Sequence, residues 1–509
     1  MKPSPLLVCF LSLILLFIAF FSSTHAYTIW VSLIPWFFFL GNEKDQHNRL
    51  FMSFFIGLFF YLYSLYWLSQ VTLLGYFLLA CYLAFYFPLF AHLYSIFTKE
   101  YPRLTLITIP SLWVFLEYIR IHLFTGFPWF FLGQSQYAQG VLIQLCSYTG
   151  PLGVSFLIVM INQGLYEIVC NPRGVSWLYR LSFLSLLVSI LGGILVLGFF
   201  RLHIVREEAV FSQLNKMTIT VVQGNIPQKQ KWDPLFKKDI LKKYVRLSQV
   251  IDEKTTDLVI WPEAALPGYL RYDEEIKETV STFVEQKGIP LLTGGPDARK
   301  IDEEKTLYYN SSFLLSKIGL IMDKYHKIKL VPFGEYVPSF FRTIIPFIGS
   351  ITGGEDDFSR GGKYTIFYLN HRRFAVSICF EAIFPDFIRQ FVVRGAEFIV
   401  NITNDAWFGN TTQPLQDMAL NIFSAVSNGI PIVRSTNTGV SCFIDQLGRV
   451  QSVLFKDNKS LFVDGVLTDT ITLNTTKTFY LRFGNWFVYL CIFFILCLAL
   501  LKRIMKKRE

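Results

Sequence analysis

The placement of apolar residues limits this chain more than any other feature. Residues 1–200 are almost continuously apolar, and residues 201–480 have the make-up of an ordinary soluble domain. A last apolar stretch near 485–501 runs into a basic tail. A helix needs about 20 apolar residues to cross the hydrocarbon core of a bilayer. On that measure the sequence predicts seven N-terminal spans, near 5–22, 26–40, 50–68, 71–97, 104–124, 141–169 and 178–200, and one C-terminal span near 485–501. The second is short. The first also has the form of a signal peptide, since Thr24-His25-Ala26 resembles a cleavage site, and its removal leaves the orientation of the rest unchanged. Three regions follow: a membrane part at 1–200, a soluble α/β part at 201–480, and a last span with its tail at 481–509.

Lys and Arg placement sets the orientation. The connections after spans two, four and six carry Lys44 and Arg49, Lys99 and Arg103, and Arg173 and Arg180. Those after spans one, three and five (22–26, 69–70 and 125–140) carry neither residue type. The tail holds Lys502, Arg503, Lys506, Lys507 and Arg508. Both termini are therefore expected in the cytoplasm, and the soluble part outside it. The formal charge of +10 has no Lys/Arg stripe with interleaved aromatics, so it predicts contact with anionic membrane lipid and no nucleic-acid partner. Six of eight cysteines lie in or beside the spans, and only Cys379 and Cys442 fall in the soluble part. That excludes a disulfide framework, and no CxxC or His/Cys cluster predicts a metal site.

From Met217 onward, short β-rich runs alternate with amphipathic helices. Residues 217–223, 257–261, 374–378 and 398–402 read as buried strands, and 235–254, 273–288, 384–394 and 415–428 as helices. Three strand ends carry chemistry: Trp261-Pro262-Glu263, Tyr325-His326-Lys327 and Ser377-Ile378-Cys379-Phe380-Glu381. Strand carboxyl ends are where α/β sheets bind ligands. A carboxylate, an ammonium and a thiol brought together there suit acyl transfer. Cys379 is the nucleophile, Glu263 takes and returns its proton, and Lys327 stabilises the oxyanion.

These three segments resemble the Glu-Lys-Cys motifs of the nitrilase superfamily. Further stretches, Gln223-Gly224-Asn225-Ile226-Pro227-Gln228, residues 330–338 (LVPFGEYVP) and residues 403–409 (TNDAWFG), resemble its membrane branch, the apolipoprotein N-acyltransferases. The resemblance spans essentially the whole chain. It implies an αββα domain in a bacterial inner membrane, facing the periplasm and needing no metal or soluble cofactor. It also implies a ping-pong reaction, in which a phospholipid acylates Cys379 and a diacylated apolipoprotein then accepts the chain on its α-amine. By the same resemblance Glu335 is a second essential carboxylate partnered by Lys327, and Glu381 supports the site. Trp232, Trp407 and Asn310 contact substrate, and Phe380 offers its backbone N–H to the oxyanion. The bland alternatives are helix capping for Glu381 and aromatic packing for the tryptophans. His326 and Cys442 are read as non-catalytic. Glu117 and Arg120, at i and i+3 in the fifth span, are expected to pair, and Phe127-Pro128-Trp129-Phe130 reads as an interfacial segment. A membrane-tethered amidase fits the same triad with water as acceptor. A transporter or receptor with an outer binding domain fits less well, since binding needs no nucleophile.

The charge pattern makes a direct prediction. A reporter active only outside the cytoplasm should work when fused near residue 470 and be silent at residue 509; the reverse would overturn this orientation.

Overall fold

The computed structural model describes residues 4–170, 177–211, 215–303, 305–337, 357–473 and 477–506. Arg173, Pro338, Lys507 and Arg508 lie outside them. Two compact units emerge, Met1–Val205 with Thr478–Glu509, and Arg206–Lys477.

The first unit is helical, and it corrects the count of spans. Among the described residues four helices are long and apolar enough to cross a membrane: Leu73–Glu100, Leu152–Val169, Arg180–Val205 and Trp486–Met505. The other predicted spans fall short for local reasons. Pro5–Phe21 has 17 residues. Residues 26–40 divide between a 3-10 helix, Ser23–Trp30, and the nine-residue helix Ile34–Asn42, with Pro35 in the latter's first turn. Gln46–Ser64 begins with the polar run Gln46-His47-Asn48-Arg49, and Thr105–His122 contains Pro110, Glu117 and Arg120.

Glu117 and Arg120 also depart from expectation, since they do not form the predicted ion pair. Both are buried. Glu117 accepts from Trp113 Nε1 (2.8 Å) and the Leu132 N–H (2.9 Å). Arg120 donates to the Tyr61 hydroxyl and to the Trp129 carbonyl (2.9 Å), with its guanidinium 4.6 Å from the Phe131 ring centre. Both side chains thus bond to the main chain of the 127–132 loop. Within that loop Trp129 and Phe130 are buried, Phe130 against Phe20 and Phe60.

The second unit has two six-stranded sheets. The first runs β12-β1-β2-β3-β4-β5, built from β1 (Lys216–Gln223), β2 (Leu258–Ile260), β3 (Leu291–Lys300), β4 (Thr306–Leu315), β5 (Ile321–His326) and β12 (Gly465–Thr472). The second runs β11-β10-β9-β8-β7-β6, from β6 (Phe367–Leu369), β7 (Arg372–Ile378), β8 (Phe398–Thr403), β9 (Ile432–Thr436), β10 (Cys442–Ile444) and β11 (Val450–Val453). In each, three neighbouring strands are parallel, β1-β2-β3 and β7-β8-β9. Parallel strands need both faces covered, and β2, β8 and β9 are accordingly buried along their whole length.

Lys237–Ser248 and Glu274–Lys287 cover the first sheet. Ile240, Leu241, Tyr244, Val280 and Phe283 form one core with Val259, Trp261 and Leu291. The second of these helices has marked ends. Asp273 caps the Ile276 N–H, two glutamates occupy the first turn, and Gly288 terminates it at φ +62°. Gln413–Asn428 packs on β10 and reaches β9 through Asp417 and Arg434, with Pro385–Val393 beside it. The sheets face each other: Thr436 donates to Gln223 Oε1 (2.8 Å) and Ser435 to the Ile260 carbonyl (3.3 Å).

Polar groups inside the second sheet are paired around Arg434, which is fully buried. It donates to Asp417 (2.9 Å) and to Asn401 Oδ1 (2.8 Å), and stands 3.8 Å from Asp405. Asn401 bonds in turn to the Ser377 carbonyl, two residues before Cys379. Breaking a buried ion pair from one side strands the other charge. Arg434→Leu should therefore lose about 3–5 kcal/mol of stability, seen as a lower unfolding midpoint; an unchanged midpoint would refute this assignment.

Candidate active site

Three strand ends of the second unit converge. Glu263 follows β2, Lys327 follows β5 and Cys379 follows β7, so the first sheet supplies the carboxylate and the ammonium and the second the thiol. Lys327 is almost wholly buried. Its Nζ lies 2.9 Å from Glu335 Oε1 and 3.7 Å from Glu263 Oε1. Asn310, from β4, bridges the same two oxygens, donating to Glu263 Oε1 (2.7 Å) and Glu335 Oε1 (2.8 Å). The second Glu263 oxygen accepts from the Asn404 N–H at the end of β8 (2.8 Å), and the second Glu335 oxygen from the Val331 N–H (2.7 Å). Each carboxylate is thus fixed by a main-chain donor and shares Lys327 and Asn310 with the other.

The electrostatics follow from that packing. Burial works against the Lys327 ammonium, but Glu335 and Glu263 outweigh it and hold its pKa above the ordinary lysine value. Burial raises the Glu263 carboxyl, with Lys327 pulling it down and Glu335 pushing it up. Cys379 is raised well above an ordinary thiol by burial and then by Glu263, with Lys327 opposing. Burial thus favours the neutral thiol form of Cys379.

Main-chain geometry aims these groups. Cys379 sits at φ +52° and Ala264, next to Glu263, at φ +49°, a left-handed region costly for residues with a side chain. The Glu263 turn presses on β3, where a Cβ at Gly294 would come within 2.7 Å of the Glu263 Cα. Glu381 is buried and accepts from the Tyr325 hydroxyl (2.8 Å) and from the N–H groups of Ile328 (2.7 Å), Lys329 (2.9 Å) and Ile378 (2.8 Å). It ties the turn before the nucleophile to the chain after Lys327. Its place is behind the reacting groups, and burial pushes its carboxyl up to about 7.

The remaining predicted residues divide. Trp232 and Trp407 expose about half of their surface, 49% and 52%. Phe380 is half-buried with its ring against Phe384. His326 stacks on Tyr309 and bonds to Asp297, and Cys442 is buried in the core. Asn404 joins two motif stretches, donating to Gln228 Oε1 (2.8 Å) and accepting from Asn437 (3.0 Å).

Sequence reasoning missed Lys231. It is 2% exposed, with Nζ 2.9 Å from the Glu263 carbonyl. Its run, Gln228-Lys229-Gln230-Lys231-Trp232, looks like a solvated turn, and no spacing separates it from the exposed Lys229. Burial pushes its ammonium down to about 7, against the pull of Glu263.

Comparison with known proteins accounts for both units. The family described as carbon-nitrogen hydrolase matches residues 218–480, and the apolipoprotein N-acyltransferase N-terminal domain matches residues 12–164. The chain is 35% identical over 502 residues to the apolipoprotein N-acyltransferase of Geobacter metallireducens, covering 96% of this chain and 93% of that protein. It is 31% identical over 445 residues to the apolipoprotein N-acyltransferase of Rickettsia prowazekii, with 87% and 84% covered.

The shared Lys327 makes Glu335 matter for its charge. Glu335→Gln keeps the volume and removes one of two groups holding the ammonium. Turnover should fall at least about tenfold, roughly 1.4 kcal/mol of barrier; a folded variant with near-normal kinetics would reduce Glu335 to packing.

Proposed function

We propose, for a chain that belongs to the apolipoprotein N-acyltransferase family, that Glu263, Lys327 and Cys379 carry acyl transfer through a thioester, with a phospholipid as donor. The chain is a transferase of the nitrilase superfamily, moving an acyl group to the N-terminal cysteine of lipoproteins. It is a multi-pass protein of the bacterial inner membrane with a periplasmic domain. The observation that carries the mechanism is a buried ammonium held between two carboxylates, beside a thiol whose titration Glu263 and Lys327 both influence.

In the first half-reaction Cys379 Sγ attacks the ester carbonyl of the donor as Glu263 takes the thiol proton. The carbonyl oxygen becomes an oxyanion, stabilised by Lys327 and the Phe380 N–H. Collapse breaks the acyl C–O bond. Glu263 returns its proton to the departing oxygen, and a lysophospholipid leaves. In the second half-reaction the neutral α-amine of a diacylated lipoprotein attacks the thioester. Glu263 takes a proton from the amine and passes it to the leaving sulfur, so an amide forms and the thiol is restored.

Trp232 and Trp407 are the apolar surfaces offered to the lipid chains. Asn310 and Glu335 keep Lys327 aimed, and Glu381 keeps the nucleophile's turn in register. Both substrates are anchored in a bilayer, so a tethered enzyme searches one surface instead of a volume. The orientation is part of the same reading: the basic connections and the basic tail put both termini in the cytoplasm.

The covalent intermediate is the decisive test. Incubated with phospholipid alone, the protein should gain one acyl mass at Cys379 that neutral hydroxylamine removes. Adding a diacylated lipopeptide should discharge that mass into triacylated product. Cys379→Ala should do neither, and Cys442→Ala should do both. Triacylated product from Cys379→Ala would replace the thioester with direct transfer, and discharge into water alone would favour an amidase.

A further inference from the structure

Lys231 is a buried lysine that the mechanism above does not use. Its main chain leaves the 3-10 turn Gln228–Gln230, and Trp232, next in sequence, is half exposed. Its side chain runs inward to the general base. Among the described residues its one hydrogen bond goes to the carbonyl of Glu263, the residue before the left-handed Ala264. The ammonium and Gly294 therefore both hold the turn that carries the base, one by a charged hydrogen bond and one by close packing.

The count of charges gives this contact a second meaning. Glu263 and Glu335 are two carboxylates in a space largely shut off from water, and Lys327 supplies one positive charge between them. Two negatives and one positive leave a net charge of −1, and burial penalises uncompensated charge heavily. The neighbouring groups do not correct it. Cys379 is a thiol at rest, and Asp405, which also feels Glu263, is acidic. Of the groups acting on Glu263, Lys327 and Lys231 are the two that favour its ionised form by charge.

We propose that Lys231 is a positioning residue for the general base, anchoring the Glu263 turn and supplying the second positive charge that keeps Glu263 ionised beside Glu335. The proposal rests on Glu263 serving as base in the thioester mechanism. Desolvation limits the Lys231 charge to the acid side of neutrality, since burial pushes its pKa down to about 7. That is the range in which a buried carboxyl is most prone to take up a proton, so the charge is present where Glu263 needs it.

The sign of the effect is fixed. Removing a positive neighbour raises the Glu263 pKa, so the base becomes protonated at higher pH. The test follows the rate of acyl-mass gain at Cys379, with phospholipid alone, in full-length protein held in lipid nanodiscs, as a function of pH. Lys231→Met should move the acid limb of that profile up by about one pH unit and lower its plateau about tenfold, with the KM for phospholipid unchanged. Lys231→Gln, which keeps a donor but not the charge, should show the same displaced limb, and Lys231→Arg should restore it. An unmoved acid limb in both neutral variants would overturn the proposal, as would a raised KM alone. Failure of both to fold would do so too, by assigning Lys231 to the architecture. Wild-type protein that gains no acyl mass would count against the thioester itself, so the two failures are distinct.

Discussion

The ammonium of Lys327 lies between two carboxylates in a pocket with little access to water, and much of the catalytic unit is arranged around keeping it there. An isolated charge in such a place would be neutralised by a proton shift. Here Glu263 and Glu335 hold the lysine protonated, and the lysine in turn limits how far burial raises Glu263. Asn310 spans the two carboxylates, so neither can rotate away without losing a bond to the other's partner. Two carboxylates so close to one cation act as a unit, each sharing the cation and Asn310 with the other. Burial, and after it Glu263, pushes the thiol of Cys379 upward, and Lys327 opposes them.

Such an arrangement demands an accurate main chain. Residues at left-handed φ occur at the nucleophile and beside the base, where the turn must reverse within a residue or two after a strand ends. The strain is held by contacts that are themselves buried. Glu381 binds four donors from both sides of the site, and the Asn401–Arg434–Asp417 chain supports β7 and β8 from below. Breaking one of these would shift the reacting groups without removing any of them.

Much of this was legible in the sequence. Glu263, Lys327 and Cys379 each close a strand, and short apolar runs ending in a polar residue stand out clearly. The helices flanking 217–223 and 257–261 were visible because their apolar positions recur at helical spacing. What was illegible depended on direction, which composition does not record. Lys231 lies two residues from an exposed lysine and points inward. The Arg434 cluster draws on three separate segments, none with a motif of its own. In the membrane unit, hydropathy registers apolar content but not continuity, so Pro35 splits one predicted span unseen. Glu117 and Arg120 have pairing distance in sequence, yet each finds a better partner in the loop they enclose.

The division of the reacting groups between two sheets has a consequence for the protein's passage to the periplasm. Neither sheet alone contains both the sulfur and the charged groups that act on it, so a partly folded chain presents an ordinary cysteine. Oxidants attack thiolates far faster than thiols, and an exported domain meets an oxidising compartment while it folds. Once the sheets close, Cys379 is held as a thiol and Cys442 is sealed in the core, pushed up to about 12 by burial. The folded domain thus keeps its only two cysteines in the form least open to oxidation.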